Sequence, residues 1–274
     1  REGPNERKIV FSGDVGNTDQ PIINDPSSVD DTDYLVMEST YGSRNHERHT
    51  DTIDVLASYI ERTLERGGNV IIPSFAVGRT QELLYAIREI KQQKLVKDAS
   101  FPVYIDSPLA IEATKIFENC DIVNFDAETR MLIEKGVDPL YFGNLHLAVT
   151  VDESKLINET PESKVIISAS GMCEAGRIRH HLKHNLWRPQ NLILFVGYQA
   201  EGSLGRMLIE GVPNVKLFGE DIAVRAEIRS LKGTSGHADQ AGLINWLGSF
   251  KEKPKTVFLN HGNEESIEVL RDEL

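Results

Sequence analysis

The chain has little cysteine and no hydrophobic run long enough to cross a membrane. Its two cysteines, Cys120 and Cys173, are too few for a disulfide framework or for a cysteine-only zinc site, so we expect both to be reduced, buried thiols. The apolar runs fall short of the roughly 18 residues that a membrane span requires. The first residues also lack the apolar core of a signal peptide. These absences predict a cytoplasmic protein with no membrane partner.

An excess of positive charge is also missing. Thirty lysines and arginines stand against 42 aspartates and glutamates, which gives a formal net charge of −12 at pH 7. This balance argues against a protein that binds nucleic acid through a broadly basic face. It still allows a local site, because a few arginines in a cleft can hold phosphates on an otherwise acidic protein.

Several common catalytic signatures are absent as well. No Gly-x-Gly-x-x-Gly follows a predicted strand, no Gly-x-Ser-x-Gly occurs, and no His-Glu-x-x-His is present. Residues 171–178 imitate a nucleotide-binding loop, but Arg177 and Ile178 replace the lysine and the hydroxyl residue that bind phosphate and Mg²⁺. Dinucleotide binding, serine hydrolysis and nucleoside triphosphate hydrolysis are therefore unsupported.

What the chain does contain is an alternation of short apolar runs and amphipathic stretches, which predicts an α/β fold. Predicted strands cover residues 8–12, 34–37, 69–72, 102–105, 164–168, 191–196, 215–218, 226–231 and 256–259. Predicted helices cover residues 51–66, 79–92, 109–119, 127–135, 175–184, 240–250 and 264–271. Residues 142–162 give no clear pattern. Ligand-binding loops are expected at the carboxyl ends of the strands.

Four segments place an acid or a histidine directly after a predicted strand. Two lie near the start of the chain and two near its end, and their candidate residues are Asp14, Glu38, His237 and His261. Carboxylate and imidazole hold zinc while leaving a position open for water, and strand ends fix such ligands rigidly. Each residue taken alone also fits a structural role, since a strand-end aspartate often caps a helix and a lone histidine often packs in a core.

Other histidines fit metal binding less well. His46 and His49 form only a His-x-x-His pair, and His180, His181 and His184 lie on a predicted helix without an accompanying glutamate. We interpret both groups as surface or packing residues.

Taken together, Phe11–Asp14, Val36–Gly42, Gly233–Asp239 and Phe258–Gly262 resemble the β-CASP branch of the metallo-β-lactamase superfamily. This branch includes the mRNA 3′-end processing endonuclease and the J-type ribonucleases. Three middle segments are also similar to its inserted domain: residues 71–83, residues 106–110 and residues 167–177. The resemblance implies a partial metallo-β-lactamase αββα sandwich, residues 1–42 and 233–274, with an inserted Rossmann-like α/β domain, residues 43–232.

The resemblance also implies residue roles. Asp14 would bridge two zinc ions and His261 would ligate one, while His237, paired with Glu38, would act as a general acid or stabilise the transition state. A structural hydrogen bond is the alternative for that pair. Single-stranded RNA would contact the inserted domain, where the candidate substrate-binding residues are Gly78, Arg79, Ser107, Ser170, Gly171, Met172 and Arg177. Tight turns and solvated helix starts are the alternatives for these glycines and arginines.

One departure from the family pattern is large. The His-x-His-x-Asp-His metal motif, expected upstream of Asp14, does not occur in these residues. We therefore expect a fragment that begins midway through the hydrolase domain, that holds zinc weakly or not at all, and that is inactive alone. For the intact protein the expected activity is metal-dependent RNA hydrolysis. A non-catalytic nucleic-acid-binding module, a DNA-directed nuclease and a homodimer remain open alternatives.

Overall fold

The computed structural model describes residues 6–46, 52–231, 233 and 235–274. It divides into two compact units: the first combines Arg1–Glu47 with Ser235–Leu274, and the second is Arg48–Thr234. The predicted domain boundaries lie close to these, at 42/43 and 232/233. His49 lies outside the described residues.

The first unit is built on a three-stranded parallel sheet of β1 (Ile9–Phe11), β2 (Tyr34–Glu38) and β11 (Thr256–Asn260), in the order β1-β2-β11. Its helices are α8 (Gln240–Gly248) and α9 (Glu264–Glu273). Side chains alternate along each strand, so Leu35 and Met37 join the core. Phe11 and Phe258 remain 73% and 53% exposed on the other face. This one-sided packing agrees with the expected partial sandwich.

The second unit contains a six-stranded, all-parallel sheet in the order β10-β7-β3-β6-β4-β5. Its strands are β3 (Val70–Pro73), β4 (Val103–Ile105), β5 (Leu145–Leu147), β6 (Val165–Ser168), β7 (Leu192–Phe195) and β10 (Glu227–Ser230). Every residue of β3, β6 and β7 is buried, which agrees with their almost entirely apolar sequences.

Helices surround this parallel sheet. They are α1 (Thr52–Glu65), α2 (Arg79–Gln92), α3 (Pro108–Glu118), α4 (Ala127–Glu134), α5 (Val151–Glu159), α6 (Ile178–Asn185) and α7 (Leu204–Ile209). An antiparallel hairpin of β8 (Asn214–Leu217) and β9 (Glu220–Ala223) packs with α6 and α7 in one apolar cluster. None of the described helices is long and apolar enough to span a bilayer.

Three sequence predictions need correction. Residues 142–162 contain β5 and α5, and the short α7 and β9 were also missed because such elements show little periodicity. The helix predicted from residue 175 begins only at Ile178, after a turn in which Gly176 has φ +79°. Cys120 is exposed at the end of α3, whereas Cys173 is buried as expected.

Lys164 is a fully buried lysine that links α5 to β6. Its Nζ donates hydrogen bonds to the carbonyls of Ile157 and Thr160 at the end of α5, at 3.0 and 2.6 Å. These bonds satisfy carbonyls that the helix leaves free. Burial lowers the pKa of the Lys164 ammonium to about 8.

This burial predicts a pH-dependent stability. The folded pKa, about 8, lies below the ordinary value of 10.5, so the unfolded chain binds more protons between them and stability rises with pH there. Relative to Lys164→Met, the wild-type free energy of unfolding should gain about 2 kcal/mol between about pH 7.5 and 10. Urea titrations across this range measure it.

The matched control is Lys155→Met on α5, whose side chain is 67% exposed. Its stability difference from wild type should stay constant over the same pH range. An equally flat difference for Lys164→Met would show that the buried amine keeps an ordinary pKa.

Candidate active site

The carboxyl edge of the three-stranded sheet brings three of the predicted residues together. The strands are parallel and in register, with Phe11 and Phe258 both opposite Val36, and Asn260 opposite Glu38. The segments that follow β1 and β11 therefore leave the sheet at the same edge. Asp14 lies in the first segment and His261 in the second, and Glu38 ends β2 between them.

His237 is held at this edge by backbone pairing with the segment that follows Asp14. Gly16 and His237 form an isolated antiparallel bridge. The amide of Ala238 donates to the carbonyl of Val15 at 2.8 Å, and the amide of Asn17 donates to that of Gly236 at 3.1 Å. Residues separated by most of the chain are thus fixed beside one another by backbone hydrogen bonds.

Asp14, His237 and His261 form a potential metal-binding group. One ligand atom from each lies within 4.8 Å of the others, and no second group of this kind occurs in the described part of the chain. His261 Nδ1 is 3.4 Å from Asp14 Oδ1, and both side chains are more than half exposed. The centroids of the two imidazole rings are 5.7 Å apart. The group is open to solvent, as a site that admits a substrate must be.

Glu38 is the buried member of the site. Its side chain, 1% exposed, lies with Oε1 and Oε2 at 3.1 and 3.0 Å from His237 Nδ1. The amide of Val15 and the hydroxyl of Thr40 also donate to it, each at 2.6 Å. Burial raises the pKa of Glu38, but the bonds from His237 and Thr40 outweigh it and leave the pKa below its usual value.

The same contact acts on the imidazole. The hydrogen bond with Glu38 raises the pKa of His237 above its ordinary value, against the opposing effect of burial. Because Nδ1 faces the carboxylate, it carries the proton of that bond. Nε2 is then the ring nitrogen left for a ligand or a substrate.

Two tight turns set the positions of the ligands. Gly13 has φ +57°, a left-handed conformation that glycine adopts without strain, and it turns the chain into Asp14. His261 itself has φ +53°. Gly262 then passes so close to Ser39 that an added Cβ would lie 2.5 Å from the Ser39 carbonyl oxygen. A side chain is therefore excluded there.

The donor set fits zinc. Zn²⁺ accepts imidazole nitrogen and carboxylate oxygen, and catalytic zinc sites commonly use three protein ligands with one open position. Asp14 and His261 are the ligands expected from sequence. His237, expected from sequence to lie close by as the catalytic partner of Glu38, offers a ligand atom to the same group.

Among the predicted substrate-binding residues, Gly78 and Arg79 begin α2. Gly78, with φ +80°, precedes its first turn, and Arg79 forms an ion pair with Glu82. Ser107 caps α3, because its hydroxyl accepts a hydrogen bond from the amide of Ala110 at 3.2 Å. These positions follow β3 and β4, as predicted, and their substrate contacts remain predictions.

Ser170, Gly171 and Met172 differ from expectation in their surroundings. They do not border a helix, because residues 171–177 form turns before α6, so free helix amides are not available to a phosphate there. Gly171 is buried against Phe75, and its carbonyl accepts from Gln199 Nε2 at 3.0 Å. Their loop still follows the carboxyl end of β6.

Arg177 is already engaged within the fold. Its Nη1 donates to Asp106 Oδ1 at 2.8 Å and to the Ala148 carbonyl at 2.9 Å, and its Nη2 donates to the Val149 carbonyl at 2.8 Å. The predicted phosphate contact would have to compete with these bonds. Arg177 therefore first serves to hold the loop after β5 and the buried Asp106.

Sequence reasoning missed the network around Asp106. This fully buried carboxylate accepts from Ser154 Oγ at 2.6 Å and lies 2.7 Å from His181 Nε2. The serine contacts the acid rather than the histidine, so the three do not form a hydrolase triad. Asp106 follows β4 as Asp14 follows β1. Its position directly after a predicted strand was the one sequence feature that could have pointed to this network.

Gly262 yields a testable consequence of the close approach to Ser39. Gly262→Ala should lower the free energy of unfolding by about 1–3 kcal/mol, because the new methyl group would displace backbone. Urea unfolding measures the effect. Gly248→Ala, at the end of α8 where a Cβ meets nothing within 4 Å, is the control and should be neutral or slightly stabilising. Equal stability of both variants would contradict the packing described here.

Comparison with known families is consistent with this geometry. The sequence pattern of the Beta-Casp domain matches residues 80–208. That of the Zn-dependent metallo-hydrolase RNA specificity domain matches residues 221–274, a range that includes His237 and His261.

Individual relatives resemble nearly the whole chain. It is 37% identical to Ribonuclease TTHA0252 of Thermus thermophilus over 264 residues, which cover 96% of this chain and 59% of the relative. An RNase J-like protein of Methanocaldococcus jannaschii is 33% identical over 93% of this chain and 58% of its own length. Transcription termination factor FttA of Methanosarcina mazei is 28% identical, with coverages of 96% and 42%. The chain thus spans less than two thirds of each. These matches, together with the site at the sheet edge, place the chain in the metallo-β-lactamase β-CASP ribonuclease family.

Proposed function

We propose that the protein to which this chain belongs is a zinc-dependent ribonuclease that hydrolyses phosphodiester bonds in single-stranded RNA. The observation that carries the proposal is the convergence of Asp14, His237 and His261, with Glu38 buried behind His237. Glu38 is buried and accepts four hydrogen-bond contacts, whereas the carboxylates of an ordinary acidic surface are solvated. This arrangement indicates a built site.

Asp14 and His261 are the zinc ligands in this proposal. Both are exposed and lie in the segments that follow β1 and β11, which suits residues that meet an ion and a substrate. Zinc held there supplies Lewis acidity, which favours ionisation of water and offsets negative charge on a phosphate. The two-zinc site that the family resemblance implies needs more ligands than these two residues supply.

His237 is the proposed general acid. Glu38 fixes the ring by accepting a hydrogen bond from Nδ1, which leaves Nε2 to carry the proton that is transferred. In hydrolysis, the oxygen of water forms a bond to phosphorus and releases a proton to solvent, while the bond from phosphorus to the leaving oxygen breaks. A proton from Nε2 neutralises that leaving oxygen.

RNA is the proposed substrate because two of the relatives are named ribonucleases and one matched domain is described as an RNA specificity domain. A non-catalytic module would have no need of the Glu38–His237 pair beside two further ligands. DNA is the remaining alternative. Parallel assays on labelled RNA and DNA strands, with each end chemistry, distinguish the two.

The free thiols of Cys120 and Cys173 suit a reducing compartment. We therefore keep the cytoplasm as the proposed location.

Activity and zinc binding should respond differently to substitutions at the site. In the whole protein, His237→Ala should slow RNA cleavage by about 10²–10⁴-fold, because a positioned acid contributes about that factor. In this chain the same substitution should leave zinc affinity near the wild-type value. Asp14→Asn and His261→Ala should reduce both, as measured by cleavage kinetics and isothermal titration calorimetry.

The matched control is His146→Ala, which removes an exposed imidazole from β5 and should change neither quantity. A His237→Ala protein with the full cleavage rate would disprove the acid role. A loss of zinc binding as large as that of His261→Ala would instead assign His237 as a third ligand.

A further inference from the structure

Helix α6 carries two chemically different faces. Its buried side chains recur at helical spacing and are Ile178, His181, Leu182 and Asn185. The side chains of the other face are Arg179, His180, Lys183 and His184. Burial, followed by neighbouring cations such as Lys183, lowers the pKa of both outward histidines. The positive charge of this face therefore comes from arginine and lysine.

This helix lies in a region that differs from the rest of an acidic protein. No aspartate or glutamate occurs between Glu174 and Glu201, although acids outnumber basic residues over the whole chain. The positive charges of α6 are therefore not compensated by an acidic residue on the same helix. A polyanion repelled by most of the molecule would be attracted here.

Among the described residues, two of the four cations in or beside α6, Arg179 and Arg188, have no acidic partner, whereas Arg177 pairs with Asp106. The guanidinium carbon of Arg188 lies 4.8 Å from the centroid of the Trp187 ring. Arg179 donates to the Glu174 carbonyl and stands 5.5 Å from the Phe218 ring. Lys183 pairs with Glu220 at 2.6 Å. No carboxylate therefore neutralises the guanidinium groups of Arg179 and Arg188, although the Nε atom of each is buried without a hydrogen-bond partner.

Phe218 supplies an aromatic surface beside these charges. It occupies the two-residue turn between β8 and β9, where Phe218 and Gly219 both have positive φ, +52° and +83°. Such a turn favours Asn-Gly, and a bulky residue at the first position is strained. Phe218 is nevertheless 49% exposed, and its ring stacks on His180 with centroids 4.4 Å apart. Neither the turn nor the core explains phenylalanine here.

Trp187 provides a second exposed aromatic, two residues beyond the end of α6. It is 47% exposed and carries the Arg188 guanidinium over its ring. Large aromatics at the surface are enriched where bases stack, because every base presents a flat π-face.

A second group of basic residues lies beside the loop that follows α6. Arg62, Arg66 and Arg229 all pair with the single carboxylate of Glu227, at 2.7, 2.7 and 2.8 Å. Arg66 also donates to the carbonyl of Gln190, in the loop that follows α6. Three cations against one anion leave a net positive charge beside that loop.

We propose that the outward face of α6 and the tip of the β8–β9 hairpin, together called the α6 surface, bind single-stranded RNA. Arg179, Lys183 and Arg188 contact phosphates, and bases stack on Phe218 and Trp187. The proposal rests on the proposed ribonuclease function for the identity of the polyanion. It adds a binding surface that is distinct from the residues of the metal site.

Phe218→Asn tests the aromatic part sharply, because asparagine suits the turn. The variant should fold with equal or higher thermal stability yet bind a labelled oligouridylate about fivefold or more weakly. Fluorescence anisotropy in EDTA measures binding without cleavage. Trp187→Ala should show a loss of the same order. Undiminished affinity in both variants would overturn the stacking role.

The charge part is tested with the double variant Lys183→Gln, Arg188→Gln. Its plot of log binding constant against log salt should become shallower by about 1.4, since each contact to a single strand contributes about 0.7. The control, Lys97→Gln with Lys115→Gln, removes the same net charge from exposed lysines paired with Glu65 and Glu112. Equal slopes for the two double variants would contradict the proposal.

Further outcomes separate this proposal from the nuclease assignment. Asp14→Asn should bind RNA in EDTA like wild type, because the α6 surface needs no metal. Normal RNA cleavage by the whole protein, with binding insensitive to α6 variants, would refute the surface alone. Binding that depends on α6 in a whole protein unable to cleave RNA would refute the nuclease alone. Tight binding of duplex RNA or of an acidic protein, unaffected by Phe218→Asn, would overturn the single-strand proposal.

Discussion

The hydrogen bond between Glu38 and His237 is the interaction on which the site depends. It joins the end of β2 to a loop from the returning part of the chain, and it buries a carboxylate that would be unfavourable without donors. The Val15 amide and the Thr40 hydroxyl complete its partners. Losing one donor would leave part of the charge unsatisfied, so the ring orientation and the local fold are maintained together.

Parallel strands provide the second constraint. In each unit the side chains of chemical interest follow the carboxyl ends of strands: Asp14 after β1, Asp106 after β4 and the Ser170 loop after β6. The consequences differ with burial. Asp14 is exposed and available to an ion, whereas Asp106 is buried and saturated by Arg177, Ser154 and His181. The same position in the fold therefore supports an open site in one case and a structural network in the other.

The sequence predicted the long elements and the proximity of the candidate site residues, because their signals are local. Continuous apolar strands such as β3 and amphipathic helices such as α2 follow directly from residue patterns. Asp14 and His261 could be found because each closely follows a strand and because the family resemblance orders them. Roles assigned to single residues by this resemblance remain predictions where the structure shows only proximity.

Features that depend on tertiary contacts could not be found this way. Arg177 looked like a phosphate ligand because nothing in the sequence shows that Asp106 and two carbonyls occupy its guanidinium. The helix predicted from residue 175 begins at Ile178 in the structure, because hydrophobic periodicity does not reveal the turn at Gly176. Cys120 was expected to be buried from residue type alone, and its exposure follows from its place at the end of α3.

The central claim is that the carboxyl edge of the three-stranded sheet holds a zinc site made of imidazole and carboxylate. X-ray absorption at the zinc edge, on this chain loaded with zinc, tests it most directly. The account predicts nitrogen and oxygen neighbours with the scattering signature of imidazole, lost together in a variant lacking Asp14 and His261. A zinc–sulfur distance near 2.3 Å, which would place the ion at Cys120 or Cys173, or an imidazole signal unchanged in that variant, would contradict it.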